Sequence, residues 1–181
     1  MRKTALITGA SSGIGKEFAK LLAQQGYNVV IVARRENLLK ALARELSEVK
    51  VNIFSIDLTA ENAIDDLLKY LSDEQIQIEV LINNAGFGDY NRFDQADIGK
   101  LQKMIDLNIK VLTDLTYYIG RQMLRRQSGY ILNVASTAAF QPGPKMAVYF
   151  ATKNYVLAFS EAVAHEWKKE GVVVSTLCPG P

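Results

Sequence analysis

Short runs of β-branched and aliphatic residues alternate along the chain with longer stretches whose apolar residues recur at helical spacing. This alternation predicts an α/β fold, a doubly wound parallel sheet with helices on both faces, because parallel strands need long crossover connections that cover the sheet. The pattern runs through residues 1–181 without a linker or repeat, so we expect one domain. Strands are predicted near residues 3–8, 28–33, 51–56, 78–83, 130–134 and 172–177, and helices near residues 13–25, 35–47, 60–72, 98–127 and 149–170.

The composition excludes several classes of function. A total of 21 Lys and Arg residues against 19 Asp and Glu residues gives a net charge of +2, too balanced for a surface that binds nucleic acid. Cys178 is the single cysteine, so we expect no internal disulfide, a buried unreactive thiol and a cytoplasmic protein. One histidine and one cysteine cannot supply the usual zinc ligands, so no metal is expected. No apolar run approaches the roughly 20 residues needed to cross a bilayer.

A glycine-rich segment, TGASSGIG at residues 8–15, follows the first predicted strand and opens the first predicted helix. Gly9, Gly13 and Gly15 let the backbone turn tightly and approach a pyrophosphate, to which the helix N-terminus offers unpaired N–H groups. This context predicts a dinucleotide-binding site. The spacing is GxxxGxG and not GxGxxG, and there is no Lys-Ser or Lys-Thr pair, so a P-loop nucleoside triphosphatase is not expected.

The second predicted strand ends at Ala33, which is followed by Arg34 and Arg35. An NAD-binding enzyme places an acidic residue here, against the ribose 2′-hydroxyl, and this chain has none. An arginine can instead pair with a 2′-phosphate through charge-assisted hydrogen bonds. We therefore expect Arg34 to favour NADP(H) over NAD(H). The alternative is that the two arginines form only an exposed basic turn.

Tyr149 and Lys153 lie four residues apart in AVYFATK, at the start of the last predicted helix, and so share one helical face. A tyrosine exchanges a proton near neutral pH only when its pKa is lowered from about 10, and a neighbouring ammonium group does this. Ser136 is predicted just past the carboxyl end of a strand, where its hydroxyl can polarise a substrate oxygen. The only histidine, His165, falls on a solvated helix face, so a hydrolytic triad is not expected.

A series of separated motifs, in the expected order, resembles the short-chain dehydrogenase/reductase family. The motifs are TGASSGIG, IDLT with Asp57, NNAG at residues 83–86, LNI with Asn108, NVAS with Ser136, YFATK with Tyr149 and Lys153, and PG at residues 179–180. The resemblance covers the whole chain and implies a Rossmann fold. It is specific to the family and leaves the substrate open.

The resemblance also implies a role for each motif. The expected catalytic residues are Asn108, Ser136, Tyr149 and Lys153. Tyr149 would act as general acid in reduction and general base in oxidation, Asp57 would help to hold the adenine, and Asn108 would hold a water that connects the lysine to solvent. The expected cofactor-binding residues are Gly9, Ser11, Ser12, Gly13, Ile14, Gly15, Arg34, Asp57, Asn84, Ala85, Gly86, Tyr149, Lys153, Pro179 and Gly180.

The chain stops at Pro181, directly after CPG, whereas members of this family usually continue through a further loop, helices and an edge strand that cover the substrate. We expect the sequence to be part of a longer chain, with the substrate lid and last edge strand beyond it; a truncated product is the alternative. The residues expected to border the substrate pocket are apolar and favour a hydrophobic ketone, aldehyde or secondary alcohol. These residues are Phe87, Gly88, Phe140, Pro142, Pro144 and Met146.

The helix predicted near residues 98–127 carries two apolar stripes. One contains Leu101, Ile105, Leu112, Leu115 and Ile119, and the other contains Met104, Val111 and Tyr118. The second stripe is either buried within one subunit or packed against a symmetric partner. We expect a homodimer or homotetramer with a small-molecule carbonyl or alcohol as its ligand, and no nucleic-acid or membrane partner.

These expectations combine into an NADP(H)-dependent oxidoreductase that interconverts a carbonyl and an alcohol by hydride transfer. One alternative is a non-catalytic dinucleotide sensor or interaction subunit, but a sensor does not need Ser136, Tyr149 and Lys153 together. Another alternative is an epimerase or dehydratase on a related scaffold, which would act on a nucleotide sugar. The chain has no evident second domain for such a substrate.

Overall fold

Six strands form one parallel sheet in the computed structural model, which describes residues 2–180. The strands are β1 (Thr4–Thr8), β2 (Asn28–Ala33), β3 (Val51–Ser55), β4 (Ile78–Asn83), β5 (Gly129–Val134) and β6 (Val172–Leu177). Their order is β3-β2-β1-β4-β5-β6, with each neighbouring pair parallel. The chain winds outward in two directions from β1, so the prediction of a doubly wound Rossmann-type sheet is confirmed.

Helices cover both faces of the sheet. They are α1 (Gly13–Gln24), α2 (Glu36–Glu45), α3 (Ala63–Asp73), α4 (Ile98–Ile105), α5 (Leu112–Arg126) and α6 (Ala147–Trp167). A π-helical segment, Asp106–Val111, joins α4 directly to α5, and short 3₁₀ turns span Phe93–Gln95 and Thr137–Phe140. Among the helices of residues 2–180, none combines the length and apolar character that a bilayer-crossing segment needs.

Two hydrophobic clusters hold the helices against the sheet. Alternate residues of β1 point to opposite faces, so Ala5 and Ile7 pack in the cluster of α1 and α2, and Leu6 packs in the cluster of α3, α5 and α6. The buried helical residues include Ala19, Leu22, Leu39 and Leu42 on the first face and Leu67, Leu115, Ile119 and Met123 on the second. Because both faces are covered, β2 is buried and apolar from Val29 to Ala33.

The helices whose bounds differ most from the predicted ones are α3 and α6. The helix predicted to begin near residue 60 begins at Ala63, because the Asp57 carboxylate accepts hydrogen bonds from the amide and hydroxyl of Thr59 and holds a turn there. Asn62 then adopts the left-handed conformation, with φ of 61°. The last helix, predicted over residues 149–170, spans Ala147–Trp167. The first difference arises from a side chain that redirects the backbone locally.

Candidate active site

A cleft of about 510 Å³ opens at the carboxyl edge of the sheet, where the strand order reverses between β1 and β4. Doubly wound sheets bind ligands at this position, because the loops from the two halves diverge there. The lining consists of Gly9, Ser11, Ser12, Ile14, Val32, Ala33, Arg34, Arg35, Ile56, Asp57, Leu58, Asn84, Ala85, Gly86 and Leu107. The expected cofactor-binding residues outside this lining are Gly13, Gly15, Tyr149, Lys153, Pro179 and Gly180.

The glycine-rich turn is braced by Asn84. The Asn84 side-chain amide donates to the carbonyls of Thr8 and Gly9 at 3.0 and 3.3 Å. A Cβ atom on Gly15 would overlap this amide and would lie 2.6 Å from the Gly9 carbonyl oxygen, so only glycine fits there. Gly9 itself has a φ of 67°, which other residues rarely adopt. The glycines therefore form the turn and also let the loop after β1 pack against the loop after β4.

Arg35 is a cleft residue that the sequence analysis did not select. Its guanidinium donates to the hydroxyls of Ser11 and Ser12 at 2.9 and 2.7 Å, next to the N-terminus of α1. Arg34, the residue selected from the sequence, has a side chain that is 74% exposed, and its guanidinium lies 3.9 Å from the Asp57 carboxylate. Two adjacent arginines were visible in the sequence, but no pattern indicated which one would turn toward the glycine-rich loop.

The Asp57 carboxylate, beside Arg34 in the cleft lining, is held in its charged form. Partial burial works to raise its pKa, but hydrogen bonds from Thr59 and the charge of Arg34 outweigh burial, so the pKa lies below its ordinary value. Ile56, Leu58 and Leu107 add apolar surface beside it. This end of the cleft combines an apolar wall with a carboxylate acceptor, a combination that fits a purine ring.

The donor set of the cleft fits a dinucleotide. Ser12 is the N-cap residue of α1, and its side chain makes no capping hydrogen bond. The first N–H groups of the helix therefore remain available for a phosphate. Arg34 and Arg35 add two cationic groups, and Asp57 adds an acceptor. These groups lie along one continuous cleft, as the phosphates, ribose and base of such a cofactor would require.

Lys153 is buried and lies close to Tyr149. The lysine is 6% exposed, and its Nζ donates to the Val134 carbonyl at 2.8 Å. Burial lowers its pKa from 10.5 to about 8, although Cys178 acts in the opposite direction. The Nζ atom lies 5.8 Å from the centre of the Tyr149 ring, as expected for residues four apart on α6. A Cβ atom on Gly86 would lie 3.6 Å from the same ammonium nitrogen.

Asn108 lies in the π-helical segment and is buried. A π turn contains an extra residue, which changes the direction of its side chains relative to an α-helix, and such turns are frequent at functional sites. Asn108 Oδ1 accepts from the Phe87 amide at 3.1 Å, and its Nδ2 donates to the Phe87 carbonyl and to Thr152 Oγ1, both at 3.0 Å. The side chain of Asn108 therefore bonds to Phe87 and Thr152, and the water that the family resemblance implies at Asn108 stays a prediction.

Ser136 follows β5 and its hydroxyl accepts from the Ala138 amide at 3.1 Å. It lies two residues beyond Val134, whose carbonyl binds the lysine. The neighbouring Thr137 amide donates to the Pro179 carbonyl at 3.0 Å, so the segment with Pro179 and Gly180 runs beside this turn. The structure thus places these expected site residues at the carboxyl edge of β5 and β6.

The expected wall of the substrate pocket divides into two parts. Gly88 and Met146 lie against Tyr149: a Cβ atom on Gly88 would be 3.1 Å from the tyrosine ring and 3.2 Å from the Met146 Cε. The other part is an open groove of about 740 Å³ along α6. Its lining includes Phe140, Pro142, Pro144, Phe150 and Leu157. The tight turn at residues 141–146 directs these neighbouring residues to different sides.

The remaining polar candidates lie elsewhere. His165 is exposed on α6, and Cys178 is half-buried, so its thiol is less deeply buried than expected. Cys178 packs against a small cluster of Leu112, Ala135 and Val156. In the part of the chain that the structure describes, residues 2–180, no group of three or more His, Cys, Asp or Glu side chains could hold a metal ion.

Comparison with known proteins identifies related chains. A protein-family model described as short chain dehydrogenase matches residues 3–181. An uncharacterized oxidoreductase from Staphylococcus epidermidis is 36% identical over 178 residues, which cover 98% of this chain and 77% of the relative. The match therefore extends over nearly all of the sequence.

Solved structures share the fold. The bulky-bulky ketone specific alcohol dehydrogenase from Comamonas testosteroni has a TM-score of 0.93 at 34% identity, covering 98% of this chain and 72% of that one. A short-chain dehydrogenase from Sphingobium yanoikuyae, in complex with NADPH, has a TM-score of 0.93 at 35% identity. The match covers 98% of this chain and 70% of that one. A 4-hydroxyisoleucine dehydrogenase complexed with NADH has a TM-score of 0.92 at 26% identity. The match covers 99% of this chain and 73% of that one. The chain is therefore an oxidoreductase that belongs to the short-chain dehydrogenase/reductase family.

Proposed function

We propose that this chain is an NADP(H)-dependent oxidoreductase that interconverts a carbonyl and an alcohol. The observation that carries the proposal is the buried Lys153 ammonium, which lies 5.8 Å from the centre of the Tyr149 ring. A buried cation stabilises a phenolate that forms beside it, because the low-dielectric surroundings strengthen the attraction. The arrangement suits proton exchange between a tyrosine and a substrate oxygen at the edge of a dinucleotide cleft.

In this proposal the side chains bind, orient and move the proton. Tyr149 donates its proton to the carbonyl oxygen during reduction and takes it back during oxidation. Lys153 stabilises the phenolate and binds the nicotinamide ribose, and Ser136 donates a hydrogen bond to the same substrate oxygen. Bound NADP(H) supplies or accepts the hydride. Asn108 completes the proposed catalytic set: it would hold a water that connects Lys153 to solvent, while its side chain holds the Phe87 backbone.

The cofactor-binding residues are proposed from their places along the cleft. The glycine-rich turn, with Gly9 and Ser11–Gly15, would face the pyrophosphate, and Asp57 would contact the adenine. The Asn84–Gly86 segment, which packs beside this turn, would line the same cleft. Pro179 and Gly180 would border the nicotinamide end, together with Tyr149 and Lys153.

The preference for NADP(H) rests on Arg34 and Arg35. Both side chains line the cleft, and no acidic residue follows β2 directly, so the end of β2 has cations where a 2′-hydroxyl would require an acceptor. A 2′-phosphate gains charge-assisted hydrogen bonds from such guanidinium groups. The NADPH complex of the Sphingobium relative supports the assignment, whereas the structurally similar 4-hydroxyisoleucine dehydrogenase is complexed with NADH.

Arg34→Ala and Arg35→Ala are each expected to weaken NADPH binding about 10- to 100-fold, because each removes a charge-assisted contact to the 2′-phosphate. NADH affinity should change by less than about threefold, since NADH lacks that phosphate. Nicotinamide fluorescence titration measures both constants. Arg44→Ala, an exposed arginine on α2 outside the cleft, controls for the loss of one positive charge. Tighter binding of NADH by the unmodified protein, or unchanged NADPH affinity in both cleft variants, contradicts the preference.

Ser136→Ala is expected to lower kcat about 100-fold and to leave NADPH affinity unchanged, because the hydroxyl acts on the substrate oxygen alone. Steady-state reduction of a carbonyl substrate provides kcat, and NADPH titration provides the affinity. Thr137→Ala is the matched control, since it removes an exposed hydroxyl from the next residue of the same turn. Equal losses of kcat in the two variants would show that the turn, and not the Ser136 hydroxyl, matters.

The proposed substrate is a hydrophobic ketone, aldehyde or secondary alcohol. Gly88 and Met146 beside Tyr149 present an apolar surface next to the reacting group. The specificity of the Comamonas relative for bulky-bulky ketones supports this class of substrate. A panel of aromatic, aliphatic and polar carbonyls, followed by NADPH absorbance, tests both the reaction and the substrate class. NADPH binding without turnover across the whole panel would favour a dinucleotide sensor.

Three further assignments remain predictions. We propose that residues 1–181 form one dinucleotide-binding domain, and that the protein is cytoplasmic. We also propose a homodimer or homotetramer, which is supported by the exposed Tyr117 and Tyr118 on α5. The second apolar stripe is divided by the fold, because Met104 and Val111 are buried while Tyr118 is exposed. Light scattering of the purified protein measures the oligomeric state.

A further inference from the structure

Thr152 is a buried polar residue to which the proposed chemistry assigns no task. It lies on α6 between Tyr149 and Lys153 and is 1% exposed. A hydroxyl inside a protein is unfavourable unless it is hydrogen-bonded, and threonine is a weak helix former. The partners of this hydroxyl therefore indicate why it is there.

The backbone of Phe87 sets the orientation of the Asn108 amide. The Phe87 N–H donates to Asn108 Oδ1, and Asn108 Nδ2 donates to the Phe87 carbonyl. An N–H requires an acceptor and a carbonyl requires a donor, so exchanging the oxygen and nitrogen of this amide would break both bonds. The second N–H of the amide then points at Thr152 Oγ1.

The direction of the next hydrogen bond follows from the first. Because Asn108 Nδ2 can only donate, Thr152 Oγ1 accepts from it, and the hydroxyl proton is donated to the Tyr149 carbonyl at 2.7 Å. A hydroxyl bonded to the carbonyl three residues earlier fixes the local shape of a helix. Thr152 thus connects the π-helical segment to the turn of α6 that carries Tyr149.

Gly86 extends this set of contacts to the ammonium group. A Cβ atom on Gly86 would lie 2.9 Å from Asn108 Oδ1 and 3.6 Å from Lys153 Nζ, so both side chains approach the face of Gly86 on which other residues carry a side chain. Protein interiors are closely packed and transmit small displacements. A shift of the Asn108 amide would therefore move the Gly86 backbone, which lines the cleft.

We propose that Thr152 is a positioning residue for the catalytic pair. Through Asn108 and Gly86 it holds the cleft wall against Lys153, and through the Tyr149 carbonyl it holds the first turn of α6. Thr152 acts through these neighbours and not on the substrate. The inference rests on the proposed function, because it concerns the geometry in which Tyr149 and Lys153 act.

Thr113 provides a matched comparison for Thr152. Its hydroxyl is hydrogen-bonded to the Tyr155 hydroxyl at 2.9 Å, so this threonine also joins α5 to α6. Thr113 is half-buried and lies outside the lining of the cleft. Replacing either threonine by valine keeps the shape of the side chain and removes one connection between the central helices, but only Thr152 contacts Asn108.

The first test compares the activity of Thr152→Val, Thr152→Ser and Thr113→Val. Thr152→Val is expected to lower kcat about tenfold with substrate KM within about twofold, and to shift the pH dependence of kcat/KM, because small misplacements of catalytic groups are costly. Thr152→Ser keeps the hydroxyl and should retain most of kcat. Thr113→Val should leave kcat and the pH profile unchanged. An equal loss in Thr113→Val, or no recovery in Thr152→Ser, overturns the proposal.

The second test requires no turnover. Hydrogen exchange at the Phe87 amide reports its bond to Asn108, and we expect about tenfold faster exchange in Thr152→Val but not in Thr113→Val. Unchanged exchange in Thr152→Val overturns the positioning role, whether or not the protein reduces a carbonyl. If the unmodified protein reduces no carbonyl while Thr152→Val accelerates exchange at Phe87, the positioning role stands and the proposed function fails.

Discussion

Tyr149→Phe is expected to reduce kcat for carbonyl reduction about 10,000-fold, at the upper end of what one general acid contributes. The substitution removes only the hydroxyl. The ring contacts with Phe150, at a centroid distance of 6.1 Å, and the close approach of Gly88 are kept, so folding should be unaffected. NADPH affinity is expected to stay within about threefold, because a single hydroxyl contact is all that is lost.

Single-turnover absorbance at saturating NADPH measures this loss in Tyr149→Phe, and fluorescence titration measures binding. Tyr155→Phe is the matched control: it removes a phenolic hydroxyl from the same helix, where that hydroxyl is bonded to Thr113 at 2.9 Å. It should leave kcat within about twofold. If Tyr149→Phe kept its kcat on a reducible carbonyl, the assignment of the proton donor would be wrong.

Lys153→Met is expected to lower kcat about 1,000-fold while making the protein more stable at neutral pH. The pKa of Lys153 is lowered by burial from 10.5 to about 8, so at pH 7 the fold carries a buried charge. That difference corresponds to about 3 kcal/mol of lost stability. Methionine removes the cost of burying this charge. It also leaves the Val134 carbonyl without its hydrogen-bond donor, and this loss reduces the gain in stability by about 1 kcal/mol. The net gain in unfolding free energy is about 2 kcal/mol at pH 7.

The stability gain of Lys153→Met depends on pH in a defined direction. Between about pH 8 and pH 10.5 the unfolded chain keeps a proton on Lys153 that the folded protein has released, so the stability of the unmodified protein rises with pH in this window. Below pH 8 the stability cost of burying the charged Lys153 amine is fully present, and above pH 10.5 this cost is absent. The advantage of the methionine variant should therefore disappear as the pH rises through this window.

Urea unfolding of the cofactor-free proteins at pH 7 and pH 10 measures the stability difference directly. Lys168→Met, at an exposed position just after α6, controls for the general effect of replacing a lysine by methionine. A destabilised Lys153→Met variant at pH 7, or a stability difference that does not change with pH, would show that the buried amine does not carry a cost. Unchanged kcat would show that the ammonium does not act on Tyr149.

Much of the fold was accessible from the sequence because it depends on local patterns. β2 spans residues 28–33 as predicted, because its apolar run is bounded by a glycine turn and by charged residues. The glycine-rich turn was recognisable because only glycine tolerates the positive φ of Gly9 and the close packing of Gly15. The distance between Tyr149 and Lys153 followed from helical periodicity alone.

Other features of the site depend on contacts between distant segments. The π-helical segment at Asp106–Val111 contains no glycine or proline that would have marked it. Arg35 faces the glycine-rich loop only because β2 lies beside β1, which brings its guanidinium to Ser11 and Ser12. The role of Thr152 depends on Asn108, which is 44 residues away in the chain. No local pattern carries information about such a partner.

The sequence by itself determined the α/β class, the position of the glycine-rich turn after the first strand, and the residue types available for proton exchange, since these follow from periodicity and short spacing. Tertiary structure alone decided how deeply Lys153 is buried, and therefore that its pKa lies near 8. It also decided which arginine meets the glycine-rich loop and which groups satisfy Asn108. Burial and hydrogen-bond partners are set by segments that meet only when the chain is folded, and a linear pattern does not contain them.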